Sequence, residues 1–144
     1  MRYSCEIIID RPRDEVIALF EDPENMKHWQ PTLKSFEPIS GQPGKAGSKS
    51  RLVYDMNGRD MVMTETITQQ NFPESFSAVY DAVNVHNVMD NHFYAEDDKT
   101  RWVATSEFRF SGWMRLMALI MREGSFKKES MENMQRFKSF AESG

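Results

Sequence analysis

Apolar and polar residues alternate along most of this chain. Tyr3, Cys5, Ile7 and Ile9 alternate with Ser4, Glu6 and Ile8, the period of a strand with one apolar face. Asp10-Arg11-Pro12 stops that strand, with Asp10 placed to cap a helix that Pro12 opens. Val16, Leu19 and Phe20 give the helix its buried stripe. Asp22-Pro23 ends it and starts a short second helix capped by Asp22 and closed by Trp29-Gln30-Pro31. A second strand is predicted over 33–39, a glycine-rich loop over 41–47 and a third strand over 48–56. Asn57-Gly58 is the strongest hairpin signal in the chain.

The fourth strand, 59–70, has two distinct faces. Val62, Thr64, Thr66 and Thr68 lie on one; Met61, Met63, Glu65 and Ile67 lie on the other. Phe72-Pro73-Glu74 reads as a turn. A fifth strand over 75–82 faces Phe76, Ala78, Tyr80 and Ala82 together, and a sixth spans 85–95. After the polar turn 96–99, a seventh over 99–110 sets Trp102, Ala104, Ser106, Phe108 and Phe110 against Arg101, Glu107 and Arg109. The period then changes. Residues 113–142 form one long amphipathic helix with two apolar stripes: Trp113, Leu116, Met117, Ile120 and Met121, then Met131, Met134, Phe137 and Ala141. The stripes are rotated relative to each other, so a bend is expected at Gly124-Ser125.

One long helix after many strands does not make a layered α/β protein. It makes an α+β domain: a curved antiparallel sheet with the helix in its hollow. A length of 144 residues fits one such domain, 1–144, with no repeat or linker. The net charge of −4, from 18 basic and 22 acidic residues, argues against nucleic acid as a partner. Cys5 is the only cysteine, so no internal disulfide forms, which suits a reducing compartment. The first 15 positions lack the apolar core of a signal peptide. The apolar run 117–121 falls far short of the about 20 residues that cross a bilayer. A soluble cytoplasmic protein, monomer or homodimer, is expected.

Several of these pieces match one known pattern. The strand ending in Ile9-Asp10-Arg11-Pro12-Arg13-Asp14-Glu15-Val16 resembles the opening of the SRPBCC (START-like) superfamily. Trp29 with Pro31 is similar to that family's Trp-x-Pro. Gly44 to Ser48 is similar to its Gly-x-Gly-Ser loop, with the spacing shifted at Ala46-Gly47. Phe137-Lys138 followed by Glu142 is similar to its terminal Leu-Lys-x-x-x-Glu. The resemblance covers nearly the whole chain, and its nearest branch looks like the polyketide cyclase/dehydrase group. It implies a helix-grip fold: seven antiparallel strands around a long C-terminal helix, two short helices after the first strand, and a deep cavity.

On that fold the inward faces offer Tyr54, Met56, Met61, Met63, Phe76, Ala78, Tyr80, Met89, Trp102, Ala104, Ser106 and Phe108 as cavity walls. The long helix adds Met117, Ile120 and Met121, and Trp29 stands at the short helices. Methionine adapts to irregular apolar shapes. Ala78, Ala104 and Ser106 are small where a filled core would hold Leu or Phe. Asn87, Asn91 and Glu65 are placed to meet a polar group. Glu65 lies on an apolar face, where an unpaired carboxylate is costly. It is a candidate acid or base; the plainer reading, adopted here, is that the face reaches solvent there or that Arg or Lys neutralises it.

Other chemistry has little support. His86 and His92 share a strand face about 20 Å apart, too far for one metal, and His28 lacks ligands at useful spacing. The loop glycines Gly41, Gly44 and Gly47 precede a strand, not the helix a phosphate loop needs. Ser106 has no histidine partner set by sequence, and Cys5 reads as core. The long helix mixes Arg115, Arg122, Glu123, Lys127, Lys128, Glu129 and Glu132 on its polar side, which favours core packing over a membrane surface. No catalytic residues, cofactor or metal are assigned. The sequence favours binding of a hydrophobic or amphipathic small molecule, lipids included. The alternatives are a cyclase or dehydratase acting on an aromatic substrate, with Glu65 as acid/base beside Tyr54 or Tyr80, and a protein-interaction module.

Overall fold

The computed structural model describes the whole chain, Met1–Gly144. Seven strands form one antiparallel sheet: β1 (Arg2–Ile9), β2 (Leu33–Ser40), β3 (Lys49–Met56), β4 (Arg59–Asn71), β5 (Ser75–Ala82), β6 (Val85–Glu96) and β7 (Lys99–Phe110). Their order is β1-β7-β6-β5-β4-β3-β2. The sheet is curved, and the fold is the helix-grip fold expected from the sequence. β1 and β2 follow one another in the chain yet form opposite edges of the sheet. The connection between them carries α1 (Arg13–Glu21), a 3-10 turn (Pro23–Asn25) and α2 (Met26–Trp29), and so bridges the open side.

Local chemistry sets these boundaries. Asp22 accepts the Glu24 N–H at 3.0 Å and caps the 3-10 turn. Asp10 caps nothing, contrary to expectation. α1 begins after Pro12, whose extended backbone (φ −60°, ψ 149°) makes it the N-cap and leaves Asp10 outside the helix. The Asp10 N–H instead donates to the Glu142 carboxylate at 2.7 Å. Asn57 and Gly58 both have positive φ, 56° and 87°, as a two-residue hairpin turn requires. Gly41 is needed for a second reason: a Cβ there would lie 2.8 Å from the Ser48 Cα. The edge strand β2 carries Pro38 and two register shifts against β3.

The C-terminal region differs from the single bent helix predicted. It is broken into α3 (Met114–Ala118) and α4 (Glu123–Ser143). The break lies at 119–122, where Arg122 is extended (φ −103°, ψ 129°), and Gly124 sits inside the first turn of α4. The first apolar stripe is therefore freed from the second. Trp113, Leu116, Met117 and Ile120 face solvent instead of the core.

Of the two C-terminal helices, α4 is the one that seats its apolar face on the sheet. Met134, Phe137 and Ala141 are buried with Tyr3, Cys5, Ile7 and Ile9 of β1 and Trp102 and Ala104 of β7. Phe20 of α1 joins this core, with ring centroids 5.0 Å from Phe93, 5.6 Å from Trp102, 5.9 Å from Trp29 and 6.0 Å from Phe137. The far end of α4 is tied down by polar contacts. Glu142 pairs with Lys138 and accepts from Asp10; Lys138 donates to the Ile8 carbonyl, and Arg11 to the Glu142 carbonyl. These bonds, the Asp10 N–H foremost, hold the Glu142 carboxyl below its ordinary range.

Phe137→Ala is expected to cost about 3–5 kcal/mol in urea unfolding, because a fully buried ring is lost from a packed cluster. A loss under about 1 kcal/mol would mean that the ring does not seat the helix.

Candidate functional site

A cavity of about 330 Å³ lies between the α1–α2 bridge and the β2–β5 half of the sheet. It does not lie beside the last helix, where the sequence placed it. Phe20, Trp29, Phe36, Phe72, Phe76 and Tyr80 supply its aromatic walls, with Met26 and Ile67 completing the apolar surface. Ser50, Gln30, Gln70 and Glu65 are its inner polar members. Pro43, Gly44 and Lys45 of the β2–β3 loop stand exposed at the rim, facing Glu21 and Pro23 of the bridge. A second depression, outside the sheet between α2 and α4, is floored by Phe140 stacked on His28 at 4.6 Å and is otherwise polar.

Glu65 is 7% exposed, and no cation pairs with it. Both halves of the plainer sequence reading therefore fail: the face does not reach solvent at Glu65, and no Arg or Lys neutralises it. Its partner is the Tyr80 hydroxyl, which donates to Oε2 at 2.8 Å across the β4–β5 pair. Burial raises the Glu65 pKa, and the Tyr80 bond opposes that rise without cancelling it. Burial also pushes the Tyr80 phenol up, reinforced by the Glu65 charge. Tyr54 is raised for the same reasons, and its hydroxyl donates to Gln30 Oε1 at 2.5 Å, tying β3 to the end of α2. Trp29 has a buried indole N–H with no hydrogen-bond partner.

Of the predicted wall residues, the structure brings Trp29, Glu65, Phe76 and Tyr80 together around this cavity. The rest fall elsewhere. Trp102 and Ala104 are packed in the core with α4, and Phe108 lies against it beside Phe126 at 5.0 Å. Ala78 is buried on the same inner face but outside the cavity lining. Asn87 and Asn91 are buried, but their amides are already used: Asn87 donates to Ser106 Oγ at 2.8 Å, and Asn91 accepts from Trp102 Nε1 at 3.0 Å. Ser106 is thus a partner of Asn87, with no histidine at hand. Met61, Met63 and Met89 are half-buried beyond Glu65, Tyr54 lies behind Gln30, and Met56 is exposed. Met117 and Ile120 are exposed and Met121 is half-buried, all outside the cavity.

The walls that sequence reading missed had partial signals. Ser50 shares strand parity with Tyr54, and the apolar stripe of α1 marks Phe20 as buried. Phe72 carries only a turn signal, and the register shift between Ile67 and Gln69 is what brings Gln70 to the wall. Cys5 is buried, and its thiol donates to the Lys127 carbonyl at 3.8 Å. His86 pairs with Asp81 on the outer face, and no three His, Cys, Asp or Glu side chains are placed to hold a metal.

The polyketide cyclase / dehydrase and lipid transport family model matches residues 2–142. The chain belongs to that family. Among curated proteins, none matches the sequence. Solved structures share the fold at low identity. Ara h 8.0201 superposes with a TM-score of 0.81 at 12% identity, covering 100% of this chain and 99% of that one. Ginseng major latex-like protein 151 from Panax ginseng gives 0.76 at 14% identity, covering 98% and 97%. The Zhui aromatase/cyclase from Streptomyces sp. R1128 gives 0.75 at 18% identity, covering 99% and 93%. No helix is long and apolar enough to cross a membrane.

The electrostatics of Glu65 give a pH prediction. Burial makes the folded chain hold the Glu65 proton more tightly than the unfolded chain does. Above the ordinary carboxylate range the folded state binds the extra proton, so this group's contribution to stability falls as pH rises through its folded pKa. Glu65→Gln is expected to remove that decline and gain on the parent as pH rises towards neutral, measured by urea unfolding across pH. Parallel curves for the two chains would show that the buried carboxyl carries no such cost.

Proposed function

We propose that the protein binds a compact hydrophobic or amphipathic small molecule between the α1–α2 bridge and β2–β5. The observation that carries this reading is an aromatic-walled cavity holding one buried, unneutralised carboxyl. A volume of about 330 Å³ falls at the lower end for small-molecule sites. It suits a ring system or a single short chain better than a two-chain lipid. Glu65 in the wall selects for polarity: its carboxyl, with a pKa raised by burial, has the Tyr80 hydroxyl as its partner and no cation. A flat molecule carrying a hydroxyl meets that demand, and Lys45 at the rim suits an acidic tail.

Native mass spectrometry of freshly purified protein is expected to show a retained small molecule. Gln70→Trp fills the wall without removing a hydrogen bond and is expected to weaken that complex about tenfold or more. Undiminished binding by a folded Gln70→Trp chain would place the ligand elsewhere.

One observation favours a second reading, catalysis by a cyclase or dehydratase. The Tyr80–Glu65 pair sets a carboxyl of raised pKa beside a phenol in an aromatic site, the equipment of a general acid. With an aromatic polyketide-like substrate, Glu65→Gln is expected to abolish turnover while binding persists. Unchanged turnover would remove Glu65 from the reaction.

A further inference from the structure

The segment 111–122 turns its large apolar side chains outward. Trp113 is 61% exposed and Leu119 82%, with Leu116 and Ile120 between these values. Val83, 81% exposed at the β5–β6 turn, extends the same surface. The Ser111 N–H donates to the Asn84 carbonyl at 3.0 Å, which holds the segment against that turn. Apolar residues exposed singly are ordinary, whereas a contiguous patch marks an interaction site.

Charge indicates the occupant. Arg115 and Arg122 are the only ionisable residues in 111–122, and neither forms an ion pair. The segment carries +2 in a chain of −4, so the remainder carries −6 (−4 minus +2). A second copy of the chain seated on this patch would bring four guanidinium groups together, because a two-fold contact meets itself. An anionic bilayer surface meets the same pattern favourably. Tryptophan sits at headgroup depth, leucine and isoleucine enter the acyl boundary, and arginine pairs with lipid phosphate. We infer that residues 111–122, with Val83, dock the protein peripherally on anionic lipid. The patch adjoins the end of β7 at Phe110, where Val85 pairs with it. The cavity rim lies at the other end of the sheet, at the β2–β3 loop. A docked molecule therefore keeps its cavity open to the aqueous phase.

Sedimentation with vesicles tests this. The protein is expected to pellet with vesicles of phosphatidylcholine and phosphatidylglycerol in equal parts, and not with phosphatidylcholine alone. Its tryptophan emission should shift to the blue on binding, and that shift should vanish in Trp113→Ala. Leu116→Glu with Ile120→Glu should abolish pelleting. Arg115→Ser with Arg122→Ser should weaken it roughly 30-fold. All four of these side chains are exposed, so unchanged melting temperatures confirm that folding is intact. Three results would overturn the inference: no binding to the anionic vesicles, equal binding to both kinds, or a solution dimer without lipid binding that Leu116→Glu separates.

Discussion

The sheet does not close on itself: its two edge strands, β1 and β2, lie at opposite ends of the strand order and do not pair, yet one connection must join them. That connection has to span the open side. α1, the 3-10 turn and α2 span it, and the ring of Phe20 becomes the point where bridge, sheet and α4 meet. α4 fills the β1–β7 side of the hollow with Met134, Phe137 and Ala141. The bridge is too short to fill the other side as well. The cavity is what the two fillers leave uncovered, and its position follows from strand order more than from any single side chain.

This division also explains the electrostatics. On the filled side, buried polar groups find partners within the sheet: Asn87 with Ser106, and Asn91 with Trp102. On the unfilled side Glu65 has a phenol and no cation. A buried carboxyl without a counter-charge in a cavity wall is the pattern expected of a functional site.

Strand parity made the sheet legible in the sequence. Inward residues on β1, β6 and β7 were correctly faced because a period of two leaves little freedom once one face is apolar. The order of elements, the Asn57-Gly58 turn and the family motifs then specified the fold. Two things were not legible. The break before α4 depends on the extended backbone at Arg122, which no residue in 119–122 announces. The division of inward residues between core and cavity depends on where helices land. Trp102 and Trp29 both pack on Phe137 of α4 with ring centroids 5.4 Å apart, yet only Trp29 also lines the cavity. The sequence offers both Tyr54 and Tyr80 as neighbours of Glu65, and the choice of Tyr80 depends on a β4–β5 register that local spacing does not reveal.

Pro38 and the two register shifts on β2 have an effect beyond this molecule. A regular outer strand offers its backbone to any passing chain, and proteins that keep one invite stacking into fibres. Proline removes a donor from that rim and the shifts break its spacing. At the opposite rim, the Lys138 ammonium already occupies the Ile8 carbonyl. Both borders of this incomplete barrel are thereby poor templates for recruiting a foreign strand, so the open side of the sheet need not become a route to aggregation.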